Sequence, residues 1–205
     1  MKNINFIESI CVENGFVNNA KYHIARIEKS IGKKTWFDSE NGKLFFEKIF
    51  DKLCQFPEHE SKYKLRIVYN SERIIKAETV LYKMKTVKRL KIVYIPDTFD
   101  YNLKYEDRIF LDKLKEQAFP AEPLLVKNSL ITDTTYTNVC FLKDGTWFTP
   151  KSFLLNGTMR QASLEKGLLK EMDLSVSDIP KYSHIALINA MLPLGMLVLP
   201  ISVIE

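Results

Sequence analysis

From Ile185 to Ile204 the chain runs for twenty residues without a charged side chain, and no other feature constrains its fold as tightly. The length matches a membrane-crossing helix. Asn189, Pro193, Gly195, Pro200 and Ser202 fall inside the run. Each proline removes a backbone donor that lipid cannot replace, whereas in a soluble fold the same prolines divide the run into buried strands and a loop. The run therefore predicts core β-structure and no membrane span. The amino terminus, MKNINFIESI, lacks the basic start, long apolar stretch and small-residue cleavage site of a secretory signal. No export is expected, and a cytoplasmic location follows.

With 205 residues, 46% of them apolar and 27% charged, the chain can fill one domain or two small lobes, which excludes disordered and low-complexity classes. Cys11, Cys54 and Cys140 form neither a metal knuckle nor an even disulfide framework, so reduced thiols and no metal are expected. The net charge of +5 is modest. In LYKMKTVKRLKIVY (81–94) the lysines alternate with apolar residues, as in a strand with one solvated face, and no nucleic-acid module accompanies them.

FIESICV reads as a strand, followed by a turn at 13–15. A helix then begins after Asn19 as N-cap, places Ala20, Ile24, Ile27 and Ile31 on one face, and stops at Gly32. His23 and Arg26 lie within one turn of each other. A second helix is predicted over Gly42 to Phe56, with Leu44, Phe45, Ile49, Leu53 and Phe56 inward. Strands are expected at 64–70, 73–84 and 90–96, a connector at 97–103, and a helix around 106–117. PLLVKNSLI, TNVCFLK and TWFTP read as strands, the last two joined by a hairpin at Asp144-Gly145. Thr158 and Gln161 have capping-box spacing at the start of a further helix. The pattern predicts an α+β architecture in two lobes, 1–98 and 99–205.

Phosphate-loop, GxGxxG, HExxH and GxSxG motifs are all missing. Five segments carry the functional signal instead: NGFVNNAKYHIAR (14–26), NLKYEDR (102–108), ITDTTYTNV (131–139), LLNGTMRQ (154–161) and INAMLPLG (188–195). In this order they resemble the fold-type IV pyridoxal-phosphate enzymes, the class IV aminotransferase family. NGTMRQ and INAMLPLG are most similar to its aminodeoxychorismate lyase branch. The resemblance implies a small α/β lobe, a larger β-barrel-like lobe with helices, pyridoxal 5'-phosphate as cofactor, a small-molecule amine substrate and a homodimer. It also implies a lyase making 4-aminobenzoate and pyruvate. An amino-acid aminotransferase and a non-catalytic binding member of the family are the alternatives.

Residue by residue, Lys104 matches the family's catalytic, cofactor-linked lysine, and Arg26 its phosphate-binding arginine. Asp133 stands where relatives carry a glutamate facing the pyridine nitrogen. Leu155 is expected against a ring face, and the Thr158 and Met159 amides at the phosphate. Asn189 and Ala190 are expected near the phosphate, Ala190 and Met191 near the substrate carboxylate, and Arg66 as a further carboxylate ligand. Arg108 would press on Lys104 if 102–108 were helical, or else pair with Asp112. Relatives generally carry a leading hairpin before the strand that FIESICV resembles; its absence is expected to leave the cofactor site intact and to weaken the transfer of their substrate preferences.

Overall fold

A computed structural model describes residues 4–32, 36–37, 40–54 and 61–205, which fall into two units. The first ends at Met84 and takes back Leu103–Asp107; the second holds Lys85–Asn102 and Arg108–Glu205.

The first unit is built on β1 (Phe6–Glu13), β2 (Phe16–Val17), α1 (Ala20–Ile31), α2 (Gly42–Leu53), β3 (Lys62–Tyr69) and β4 (Ile74–Leu81). The strands form one antiparallel sheet in the order β2-β1-β3-β4. Asn14 and Gly15, both at positive φ, make the tight turn after β1. Asn19 occupies the N-cap of α1 in the left-handed region, and Gly32 follows its end at φ 68. Ile10, Ile27, Phe46, Phe50, Leu65 and Ile67 pack into one core.

The buried faces differ from the sequence expectation at two places. In α1 the fully buried positions are His23, Arg26, Ile27 and Ile31, while Ala20 and Ile24 pack at the margin. In α2 they are Gly42, Phe46 and Phe50; Leu44 and Leu53 are exposed, and Phe45 and Ile49 are partly buried. Gly42 explains the rotation, because a Cβ there would strike the Ile24 side chain, so the helices approach over that position. Phe56 lies outside the described residues.

The second unit continues with β5 (Leu90–Tyr94), α3 (Ile109–Ala118), β6 (Glu122–Lys127), β7 (Leu130–Thr134), β8 (Asn138–Lys143), β9 (Thr146–Pro150), α4 (Thr158–Glu165), β10 (Lys170–Met172), β11 (His184–Ile188) and β12 (Val198–Pro200). Among the described residues these strands form one eight-stranded sheet. β5 and β6 run parallel across α3, as a crossover helix requires. Asn128-Ser129 and Asp144-Gly145, all at positive φ, close the two hairpins that follow. β8 pairs with β7, β9 and β11, which makes it the hub of the sheet. The barrel expected from the resemblance does not close. Only a bridge between Leu90 and Ile204, with backbone bonds of 2.9 Å from Ile92 to Glu205 and from Glu205 to Leu90, ties β5 to the carboxy end.

The uncharged run of 185–204 supplies β11, a loop and β12, with Ile185 to Ile188 fully buried. Among the described residues no helix is long and apolar enough to cross a membrane. Residues 82–89 form no strand, so the alternating lysines before β5 lie on irregular chain. Likewise, 102–108 is a loop and the helix begins only at Ile109.

Candidate active site

In the first unit, β1 carries Glu8 in step with the buried Phe6, Ile10 and Val12, and Glu8 is completely buried. A buried carboxylate needs partners. Arg26 supplies two, donating from Nε to Oε1 at 2.7 Å and from Nη2 to Oε2 at 2.5 Å. His23 Nδ1 lies 2.5 Å from Oε2. Burial alone would raise the Glu8 pKa, but the Arg26 charge, its hydrogen bonds and His23 outweigh burial and hold it at about 2. Burial also lowers the pKa of His23 despite the Glu8 carboxylate, with the charges of Arg26 and Lys104 adding to the lowering. A neutral His23 must then donate from Nδ1, which leaves Nε2 as a buried acceptor without a partner among the described residues.

Lys104 belongs to the same unit. Its carbonyl accepts the Ile7 N–H at 2.9 Å, one residue before Glu8, and its side chain is half-buried. Glu106 N–H to the Asn5 carbonyl, at 2.9 Å, and Tyr105 against the Phe6 ring sew the remaining residues of the segment to β1. Arg66, on β3, faces Glu78 at 3.5 Å and Glu106 at 3.9 Å, so two carboxylates already counter its charge. Arg108 does not press on Lys104 from a helical turn. It donates to the Thr135 carbonyl at 2.7 Å and pairs with Asp112 at 3.6 Å.

In the second unit, Asp133 on β7 stands opposite Asn138 on β8. Asp133 is buried and accepts the Asn138 amide at 2.7 Å and the Leu154 and Leu155 N–H groups at 2.9 Å. These donors lower its pKa but do not overcome burial, which raises it to about 6. Asn138 also donates to the Leu155 carbonyl at 2.9 Å. A Cβ at Gly157 would run into Asn138 Oδ1, so only glycine lets the loop pass this close. The loop leads into α4, whose first residues are Thr158 and Met159.

The expected capping box at Thr158 is not formed. Gly157 is the N-cap, no side chain caps the helix, and Gln161 donates instead to the Asn156 carbonyl at 3.0 Å. The first-turn N–H groups therefore point from a helix start that lacks a side-chain acceptor. A capping box does occur at Ser175 and Asp178, which the sequence reading missed.

Asn189 follows β11, donates to the Tyr136 carbonyl at 3.3 Å, and accepts the Met191 N–H at 2.9 Å. Ala190 and Met191 form the tip of a turn closed by Asn189 and Leu192. Asp133 on β7, Leu155 on the loop that bonds to it and Thr158 and Met159 at the start of α4 thus follow one another through a single connection, with Asn189 anchored to Tyr136, three residues beyond Asp133. Sequence reasoning missed Glu8 and Asn138. The available signals were an acid at the alternating apolar positions Phe6, Ile10 and Val12 of the strand and an amide inside ITDTTYTNV.

Residues 53–204 match the amino-transferase class IV family. The chain belongs to that family. Over 187 residues it is 32% identical to an uncharacterized protein of Haemophilus influenzae strain Rd, covering 90% of this chain and 96% of that one. A candidate 4-amino-4-deoxychorismate lyase from Haemophilus somnus 129pt is 30% identical, with TM-score 0.82, and the match covers 95% of this chain and 100% of that structure. A T.th. branched-chain amino acid aminotransferase, solved with N-(5'-phosphopyridoxyl)-L-glutamate, shares the fold at 13% identity and TM-score 0.74, over 98% of this chain and 76% of its own. As a class IV aminotransferase family member, this protein is an enzyme, and the reading as a non-catalytic binding protein is set aside. Among the described residues no cluster of His, Cys, Asp or Glu could hold a metal ion.

Proposed function

We propose that this chain is a pyridoxal-phosphate lyase that converts 4-amino-4-deoxychorismate to 4-aminobenzoate and pyruvate, the activity for which its Haemophilus somnus relative is a candidate. The observation that carries the cofactor reading is the 154–158 loop. At one end its N–H groups hold a buried acid with a pKa of about 6, and at the other it opens an uncapped helix start. An acid suited to a ring nitrogen and amides suited to a phosphate are what the cofactor's two ends require.

Bound there, pyridoxal phosphate supplies an aldehyde for the substrate amine and a ring that draws electrons from neighbouring bonds. Thr158 and Met159 would hold the phosphate through their N–H groups, with Arg26 as the cation. Leu155 would lie against a ring face. The Asp133 carboxylate would keep a proton on the pyridine nitrogen, and the three donors around it fix its orientation. Lys104 Nζ takes a proton from the substrate ring and returns one to the departing three-carbon fragment.

Two measurements test this reading. Added pyridoxal phosphate should give an absorbance band near the visible edge in the wild type and none in Lys104→Ala. Pyruvate should then appear from aminodeoxychorismate with no 2-oxo acid present. Pyruvate release that required such an acceptor would overturn the lyase assignment in favour of amino transfer, the reaction for which the family is named.

A further inference from the structure

The assigned roles leave Glu8 and His23 unused, yet these two side chains are the most completely buried polar pair in the first unit, each at 0% exposure. Burying an acid in the interior of a sheet is costly, and an apolar residue would suit the neighbouring Ile10, Leu65 and Ile67 better. Glu8 nevertheless grips Arg26 side-on through Nε and Nη2, which fixes the plane of the guanidinium and leaves Nη1 as the nitrogen it does not engage. The same carboxylate holds the His23 ring through Nδ1 and so sets the tautomer that leaves Nε2 an acceptor. Arg26 Nη2 lies 3.4 Å from His23 Nδ1, so both side chains converge on one carboxylate.

Resting on the reading that Arg26 meets the cofactor phosphate, we propose that Glu8 is a positioning residue. It sets the guanidinium plane of Arg26 and the ring of His23 as one rigid unit, and discrimination for a phosphate-bearing ligand depends on this setting. Simple charge arithmetic predicts the opposite. An anion beside the phosphate site repels a dianion, so deleting it should tighten binding. Positioning predicts weaker binding, because Arg26 without its clamp loses the orientation that a phosphate requires.

The test compares pyridoxal phosphate with pyridoxal, which lacks the phosphate. The full chain is titrated with each, following the absorbance band and tryptophan fluorescence, and the ratio of the two affinities is the readout. Glu8→Gln and Arg26→Lys should each lower that ratio about tenfold, the scale of one charge-assisted hydrogen bond. The double variant should fall no further, because both changes break the same unit. Should Glu8→Gln fail to fold, Glu8→Asp keeps the charge but withdraws it by one methylene, and it should lower the ratio too. A ratio that is unchanged or raised in the folded Glu8 variants, or losses that multiply in the double variant, overturns the proposal while the cofactor reading stands. A wild type that shows no band with either compound sinks both.

Discussion

Glu8 and Asp133 are each buried and each accept three hydrogen bonds, yet their acidities move apart, one held at about 2 and the other raised to about 6. Geometry does not separate them, since the contacts span 2.5–2.7 Å in one case and 2.7–2.9 Å in the other. The partners do. Glu8 faces a guanidinium whose charge, with its hydrogen bonds and His23, outweighs the desolvation of the carboxylate, whereas Asp133 is bonded only to peptide and amide donors, and these together with the charge of Arg160 do not. Three hydrogen bonds therefore fix where an acid points, while a charged partner bonded to it decides whether it stays ionised. The first arrangement suits a permanent structural anion, and the second suits an acid that exchanges a proton near neutral pH.

The largest break in this contrast is Glu8→Ala. It strands Arg26 in the interior, and a urea titration should show a loss of about 3–5 kcal/mol, as expected when one partner of a buried ion pair is removed. A loss below about 1 kcal/mol would mean that Arg26 finds water and the cluster is not a closed unit. Next, Asn138→Ala deletes one donor to Asp133 and leaves the Leu155 carbonyl short of a partner, for a cost of about 1–3 kcal/mol. It should also move the Asp133 pKa further up, measurable by carbon-detected NMR titration.

A smaller effect depends on pH. The folded pKa of Asp133 lies above its ordinary value, so its stabilising contribution is complete below the unfolded pKa and is lost as pH rises through about 6. Relative to Asp133→Ala, the wild type without cofactor should therefore gain about 1 kcal/mol on going from about pH 7.5 to about pH 5. The smallest effect belongs to an exposed pair. Lys43 and Glu47 lie 3.6 Å apart on α2, and Lys43→Ala should shift stability by less than about 0.5 kcal/mol because water screens what the interior does not.

Much of the scaffold was legible in the chain. The stop at Gly32 and the hairpin at Asp144-Gly145 follow from which residues tolerate positive φ, a property that neighbours barely alter, while Asn19 holds the N-cap position at φ 55 without the side-chain cap hydrogen bond that its residue type suggested. The ordered segments from Arg26 to Met191 pointed to a class IV enzyme for a similar reason, because each motif is a short local pattern. Reading failed where a residue's role is set by something distant in sequence. The inward face of α2 turned on the contact of Gly42 with Ile24, and the Thr158 cap gave way to a glycine that must pass close to Asn138.

The sequence by itself determined the family and most of the order of strands and helices, and it pointed to the candidate lysine, since local propensity and motif order need no knowledge of what packs where; it read the β6–β7 hairpin as one strand and β10 as helix. Tertiary structure alone decided that Glu8 meets Arg26 and His23, and that Asp133 meets Asn138 and the Leu154 and Leu155 amides. Whether a carboxylate is ionised depends on which charges share its desolvated surroundings, and those neighbours come from other strands and helices of the folded chain.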